Sequence, residues 1–183
     1  MLSERLGIGR TPIREALQRL ARERLVTILP RRGVIVSEIN VKRQLRLLEV
    51  RRELERLVAR SAARRASPAE RERFVALARA FIASARTNDD RRFLLVDRKF
   101  NELCLVAARN EFAGGAMGLM NSLSRRFWYV HYKQAADLPL TAKLHADVAR
   151  GIAKGDPDEA GAALDRLLDN IEAFTRATVD TDV

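Results

Sequence analysis

From residue 41 to the end of the chain, apolar residues recur at steps of three and four positions, and this spacing constrains the fold more than any other feature. It places apolar side chains along one face of an α-helix, whereas a half-buried strand would need alternating apolar and polar residues. No strand signal interrupts this region. Amphipathic helices without strands bury their apolar faces by packing against each other, so the sequence predicts an antiparallel bundle of six or seven helices.

Capping signals divide this region into helices. The first is expected to end at about residue 65, and Ser67-Pro68-Ala69-Glu70 has the form of a capping box with proline at the first helical position. A further helix is expected to begin at the cap in residues 88–90. The next should span 117–133, after a segment weakened by Gly114, Gly115 and Gly118, and another should span 141–154, beyond a break near Pro139. The last should begin at the cap in residues 156–159.

A different pattern precedes the helical region. Residues 7–9 contain two glycines and are typical of a turn, and a helix is predicted to follow with Thr11 as its N-cap and Pro12 at its first position. Arg10 and Arg14 flank this helix start. They could point outward as the side chains of a DNA recognition helix do, or they could be solvated arginines of an ordinary surface helix.

The next residues favour the first interpretation. Two apolar runs, 25–29 and 34–36, flank the turn sequence Pro30-Arg31-Arg32-Gly33, which predicts a β-hairpin with arginines at its tip. Residues 1–6 can form a short helix ahead of the glycine turn. The order helix, turn, helix, hairpin is that of a winged helix-turn-helix.

The charge distribution agrees with a nucleic-acid partner. The net charge of the chain is +10, and residues 1–38 contain eight arginines and four glutamates. The remaining 145 residues contain 26 basic and 20 acidic residues, so the basic excess is denser at the N-terminus. A concentrated positive charge favours a polyanion such as DNA.

Two classes of protein are disfavoured by composition. The single cysteine, Cys104, cannot form an internal disulfide, and charged residues interrupt every long apolar stretch. The sequence therefore predicts a protein of the reducing cytoplasm with no membrane partner.

A resemblance to a known family joins these patterns. Residues 6–20, LGIGRTPIREALQRL, with Leu25-Val26 and Arg31-Arg32-Gly33-Val34 behind them, resemble the signature of the GntR family of bacterial transcription regulators. The rest of the chain resembles the all-helical effector domain of the FCD branch of that family. In the family another helix precedes the two seen here, so we expect an N-terminally incomplete DNA-binding part of reduced stability.

The resemblance implies a mainly α fold with two domains, a partial winged helix-turn-helix over 1–38 and an antiparallel all-helical ligand-binding and dimerisation domain over 39–183. It also implies a homodimer that binds double-stranded operator DNA, commonly as a repressor, and responds to a small metabolite. The DNA-contacting residues that it implies are Arg10, Thr11, Arg14, Arg31, Arg32 and Gly33.

A divalent-metal site is the second implication. Many relatives have the pattern Asp-x-x-Phe-His and two later histidines, and this chain has Asp97, Asn101 in place of the first histidine, His145, and Leu167 at the last position. An amide is a weaker ligand than imidazole, and leucine is none. Zinc, nickel or manganese therefore remains a possible cofactor, at a site that has lost part of its ligand set. The alternative role for His145 is that of a buried histidine bonded to a carboxylate such as Asp97.

The small metabolite that controls the regulator, its effector, would bind in the same region. Arg51 lies on a helix that resembles the family's first effector helix, where an arginine commonly faces the ligand cavity. Arg51 would bind the carboxylate of a small organic acid, with Asp97, Asn101 and His145 as further ligand contacts. The alternative for Arg51 is a surface ion pair with Glu55 at helical spacing.

Two other functions compete with a regulator. A small metal-dependent enzyme could use Asp97 and His145, but no nucleophile or general base accompanies them, so we do not expect an enzyme. A ligand-binding module that does not bind DNA is the other alternative, and it gains weight from the absent first helix.

Overall fold

The computed structural model of the chain describes residues 2–135 and 137–178. The chain forms two compact units, one that ends at Asn40 and one that begins at Val41. None of the described helices is long and apolar enough to cross a membrane.

The first unit contains two helices and a hairpin. Its elements are α1 (Leu2–Leu6), α2 (Arg10–Arg22), β1 (Val26–Leu29) and β2 (Gly33–Val36). The two strands pair antiparallel, with Val26 opposite Val36 at the open end and Leu29 opposite Gly33 at the turn. This order confirms the predicted partial winged helix-turn-helix.

The start of α2 differs from the prediction. Gly9 is the N-cap and makes no side-chain hydrogen bond, so Thr11 lies inside the first turn and is not the cap. Pro12 is tolerated there because the first four N–H groups of a helix have no intrahelical acceptor. The prediction of a Thr11 cap was wrong because a glycine can occupy the cap position with little loss of stability.

Little apolar surface is buried in this unit. No residue of α1 or α2 is buried, Leu6 is 58% exposed, and Ile13 and Leu17 are only half-buried. A unit with so few buried apolar contacts opens at a lower free energy than a well-packed one.

The second unit is a bundle of helices. Within the part of the chain that the structure describes there are six: α3 (Val41–Arg65), α4 (Pro68–Thr87), α5 (Asp90–Ala108), α6 (Glu111–Ala135), α7 (Leu138–Lys154) and α8 (Pro157–Ala177). The predicted mainly α fold class is therefore confirmed.

Side-chain caps begin most of these helices. Ser67 and Glu70 form the predicted capping box of α4, and Asp89 and Asp156 cap α5 and α8 as predicted. Asp137 caps α7, which the sequence analysis did not anticipate. Each cap satisfies N–H groups that would otherwise have no acceptor.

Two predicted boundaries were wrong. α6 begins at Glu111 and continues through its three glycines, although each glycine costs up to about 1 kcal/mol in a helix interior. Burial of Ala113 and Met117 against the bundle offsets that cost. α7 begins at Leu138 and includes Pro139, which breaks nothing because it lies in the first turn.

α7 is the central helix of the bundle. It packs against α4 and α8 and also contacts α3 and α5. Its inward face consists largely of small residues, and Ala142, Ala146 and Ala149 are fully buried. At Gly151 an added Cβ would lie 2.8 Å from the Ala160 backbone nitrogen, so α7 and α8 approach each other closely at this residue.

Gly151 offers a test of this packing. We expect Gly151→Ala to lower the free energy of unfolding by about 1–3 kcal/mol, because the added methyl group meets backbone that cannot rotate away. Gly114→Ala in α6 is the matched control, since nothing lies within 4 Å of its Cβ position. The control should leave stability unchanged or raise it by up to about 1 kcal/mol. Urea unfolding that shows equal effects would contradict the close approach.

Candidate functional site

Four arginines of the first unit are exposed at two of its elements. Arg10 is the first residue of α2 and Arg14 lies one turn later, while Arg31 and Arg32 lie in the turn between β1 and β2. Within residues 2–135 and 137–178, none of these four side chains forms an ion pair. Their charges are therefore available to an anionic partner.

The turn of the hairpin depends on one glycine. Arg31 has a φ of 60° and Gly33 a φ of 113°, so both lie in the left-handed region. A φ of 113° is strained for any residue with a Cβ. Gly33 therefore fixes the turn that holds the side chains of Arg31 and Arg32 in solvent.

Arginines of the second unit are used differently. Arg56 contacts Asp165 at 2.7 Å and joins α3 to α8, and Arg109 contacts Glu70 at 2.8 Å near the start of α4. These contacts lie between segments distant in sequence and fix the bundle. Arg56 and Arg109 therefore have a structural role, in contrast to the four exposed arginines of the first unit.

The second unit contains an open cavity between α3, α5, α6, α7 and α8. Its volume is about 610 Å³, including the space at its mouth. All four residues predicted to bind the effector, Arg51, Asp97, Asn101 and His145, line this cavity. Aromatic side chains form much of the remaining wall: Phe93, Phe127, Trp128 and Phe174.

Hydrogen bonds orient the polar groups on one side of the cavity. The His145 ring donates from Nδ1 to the Thr141 carbonyl at 2.8 Å, because a carbonyl oxygen can only accept. Nε2 then faces Asp97, 3.4 Å from Oδ1. Asn101 donates from Nδ2 to the same Asp97 oxygen and to the Asp97 carbonyl, both at 2.9 Å. The three side chains form one connected group.

Three phenylalanines surround this histidine. The centre of the His145 ring lies 5.0 Å from that of Phe81, 5.4 Å from that of Phe93 and 6.0 Å from that of Phe100. His145 is 7% exposed. The rings restrict its rotation, so its Nε2 edge keeps a fixed direction.

Arg51 forms an ion pair with Glu55 at the wall of the cavity. Its Nε donates to Glu55 at 2.5 Å, but both side chains are largely buried, so the pair is not a surface pair. Arg51 also lines the cavity. One edge of its guanidinium group is bound to Glu55, and the planar group has further N–H donors that a ligand could use.

The residues present do not fit the metal site that the resemblance implies. Among the described residues, no group of three or more His, Cys, Asp or Glu side chains could hold a metal ion. Leu167 is packed in the hydrophobic core, and Asn170 donates to the Thr141 hydroxyl at 3.1 Å. Among the described residues, the set implied by the resemblance thus consists of Asp97, His145 and the amide of Asn101, and such a set binds a transition ion weakly.

Sequence reasoning missed part of the cavity wall. Gln44 lies two turns before Arg51 on α3, and this spacing could have identified it. Asn121 and Thr141 had no such signal, because their place in the wall depends on how α6 and α7 pack. Ser124 in α6 also lines the cavity, and its buried hydroxyl has no hydrogen-bond partner among the described residues.

Comparison with known proteins identifies both units. The family described as bacterial regulatory proteins, gntR family, matches residues 1–36, and the FCD domain matches residues 46–170. The chain belongs to the GntR family. It is a transcription regulator with an FCD domain, and the family is one of regulators and not of enzymes.

Two similar proteins are both named as HTH-type transcription regulators. An HTH-type transcriptional regulator from the TAR-I ttuE–ttuC' intergenic region of Agrobacterium vitis is 32% identical over 111 residues, which is 58% of this chain and 64% of that protein. The chain thus spans less than two thirds of that relative. The HTH-type transcriptional repressor RspR of Escherichia coli is 25% identical over 178 residues, 96% of this chain and 77% of RspR.

Solved structures share the fold. Escherichia coli McbR/YncC has a TM-score of 0.79 at 19% identity, with 97% of this chain and 85% of that chain covered. Lar, which controls expression of the agr system of Listeria monocytogenes, has a TM-score of 0.67 at 15% identity, with 96% of this chain and 84% of Lar covered. At these identities the likeness establishes the fold alone.

Because the implied metal site has only two strong ligands, Asp97 and His145, it leads to a prediction about metal content. We expect untreated protein to purify without stoichiometric zinc, nickel or manganese, because two strong ligands hold such ions weakly against buffer. Added zinc should raise the melting temperature little, since stabilisation grows with the ratio of ligand concentration to Kd. Elemental analysis of the wild type and of Asp97→Ala decides the question. Near one equivalent in the wild type, lost in Asp97→Ala, would contradict the expectation.

Proposed function

We propose that this GntR regulator acts as a homodimeric repressor that binds operator DNA and is controlled by a small organic acid in the FCD cavity. The observation that carries the proposal is the set of exposed arginines at the start of α2 and at the hairpin turn, which form no ion pair with any of the described residues. A repressor is proposed in preference to an activator because the relative RspR is a repressor by name.

The DNA-binding part of the proposal assigns roles by position. Arg10, Thr11 and Arg14 at the start of α2 would contact base edges or phosphates in the major groove, as the N-terminal residues of a recognition helix do. Arg31 and Arg32 would contact the backbone or minor groove from the hairpin. Gly33 would allow the wing backbone to approach the DNA closely.

The effector part rests on the chemistry of the cavity. Arg51 and Arg125 bring positive charge to its wall, while the carboxylate of Asp97 accepts from Asn101 and faces His145. A carboxylate ligand complements guanidinium groups through paired hydrogen bonds. The aromatic wall favours a ligand with an apolar part beside its acid group.

Control of DNA binding would pass through α3. This helix begins at Val41, directly after the first unit ends, and it supplies Gln44 and Arg51 to the cavity. A ligand that contacts α3 can therefore bias the helix to which the DNA-binding unit is covalently joined. Such coupling between two sites is what an allosteric regulator requires.

Arg14 is the sharpest test of the DNA-binding part. We expect Arg14→Ala to weaken binding to a duplex selected from a random pool by about 5- to 150-fold, the cost of one good base contact. If Arg14 contacts a phosphate instead, all sequences should weaken, and the log–log salt slope should fall by about one.

Arg19→Ala is the matched control on the same helix, because Arg19 is paired with Glu23 at 3.1 Å. Fluorescence anisotropy at several salt concentrations measures both variants. Equal affinities of wild type and Arg14→Ala would remove Arg14 from the DNA site. No binding by wild type to any duplex would favour a ligand-binding module that does not bind DNA.

The effector part predicts release of bound DNA by an acid. A panel of aromatic and aliphatic carboxylates should contain compounds that lower the affinity for the selected duplex, because the cavity wall carries two guanidinium groups. Arg125→Gln should weaken that response without changing DNA affinity in the absence of acid. Lys143→Gln, an exposed cation of α7 outside the cavity, is the control. A response equally strong in Arg125→Gln would remove Arg125 from the effector site.

A further inference from the structure

The polar side chains around the FCD cavity differ in whether they have hydrogen-bond partners. On the α5 and α7 side, the carboxylate, amide and imidazole described above are directed to one another or bonded to backbone. On the α3 and α6 side, the Gln44 amide, the Asn121 amide and the Ser124 hydroxyl form no hydrogen bond with any residue of 2–135 and 137–178. The unpartnered groups therefore lie on α3 and α6.

The helical period brings these groups to one space. Ser124 and Arg125 follow Asn121 by three and four positions, so the three residues share one face of α6. Gln44 and Arg51 are seven positions apart and share one face of α3. We call these five residues, all of which line the cavity, the α3–α6 wall. The wall contains two amides, one hydroxyl and two guanidinium groups.

Gln44 is the clearest sign that this wall binds a ligand. The residue is 6% exposed, and it lines the cavity without a hydrogen bond to any described residue. A buried amide without a partner lowers stability, so packing alone would favour an apolar residue here. A ligand that replaces solvent at such a group must supply the same hydrogen bonds or lose affinity. Gln44 and Ser124 therefore select for a polar ligand.

Charge distinguishes the two sides of the cavity independently of hydrogen bonding. Arg51 and Arg125 belong to the α3–α6 wall, whereas the carboxylate of Asp97 projects from α5. Opposite charges attract and like charges repel, and both effects are stronger in a cavity than in bulk water. The carboxylate of an acid is therefore expected to bind against α3 and α6.

A carboxylate alone does not satisfy the α3–α6 wall. Its oxygens only accept hydrogen bonds, so they pair with guanidinium N–H groups but leave the carbonyl oxygens of Gln44 and Asn121 without donors. A hydroxyl or an amide group both donates and accepts, as the side chains of Gln44, Asn121 and Ser124 do. The wall is complementary to a ligand that has such a group beside its carboxylate.

From these partners and charges we propose that the effector is an acid with a second, uncharged hydroxyl or amide group, and that Gln44, Asn121 and Ser124 bind this second group. The inference rests on the proposed control by an organic acid, and it names the residues that select the ligand. A ligand held in this way joins α3, the helix that directly follows the DNA-binding unit, to α6.

Two pairs of acids test the second group with the full chain. Mandelate differs from phenylacetate by one hydroxyl group, and N-benzoylglycine differs from 4-phenylbutanoate by an amide in place of two methylene groups. Isothermal titration calorimetry measures the affinity of each acid. The polar member of at least one pair should bind about fivefold more tightly or better, which corresponds to one net hydrogen bond.

Gln44→Leu and Ser124→Ala separate ligand binding from a structural role. Each variant should reduce the preference for the polar acid while its melting temperature stays unchanged or rises, because each removes a buried polar group that has no partner. Ser84→Ala in α4 is the matched control. Ser84 is fully buried, donates to the Ala80 carbonyl at 3.0 Å and lies outside the cavity, so this variant should keep the preference of the wild type.

The outcomes distinguish this inference from control by an organic acid in general. Equal affinities within both pairs would overturn the inference and leave that control standing. A preference that survives in both Gln44→Leu and Ser124→Ala would also overturn it, because the second group would then be bound elsewhere. Binding of none of the four acids to the wild type would reject this ligand class, while control by an acid is decided separately by the release of bound DNA.

Discussion

The close packing of α7 within the bundle is the constraint on which the rest of the second unit depends. Small residues on its inward face let α4 and α8 approach, and Gly151 touches the α8 backbone where no side chain would fit. Arg71 strengthens this arrangement, since it donates to carbonyls at the ends of both α3 and α7, those of Ala63 and Ala153 among them. With α7 fixed, the position of His145 in the cavity follows.

Among the described residues, the cavity contains a histidine oriented like a metal ligand but too few further ligands to hold an ion. A backbone carbonyl holds Nδ1 of His145, as the outer shell of metal sites commonly does, and Nε2 faces a carboxylate. With Leu167 in the core and Asn101 bonded to Asp97, the same groups instead form a polar wall. A wall of this chemistry offers hydrogen-bonding groups to an organic ligand without an intervening metal ion.

The differences between expectation and structure have local physical reasons. Helix starts at Ser67, Asp89 and Asp156 were predictable because a cap depends on residues within one turn. α6 was predicted too short because the cost of its glycines is local, whereas the burial that offsets it is tertiary. For Arg51, the sequence left a surface ion pair and a ligand contact as alternatives, and the packing of α3 against its neighbours gives a buried ion pair at the wall of the cavity.

The sequence by itself determined the order of the elements, the caps of α4, α5 and α8, the family and the residues from which a site could be drawn. These depend on spacing, on short-range hydrogen bonding and on a motif, all of which are contained in neighbouring residues. Tertiary structure alone decided that α3, α5, α6, α7 and α8 enclose one cavity, that Asn121 and Thr141 belong to its wall, and that one side of α6 is left exposed. The reason is that side chains distant in sequence become neighbours only through the packing of helices, and that packing is set by the sizes of all the side chains between them.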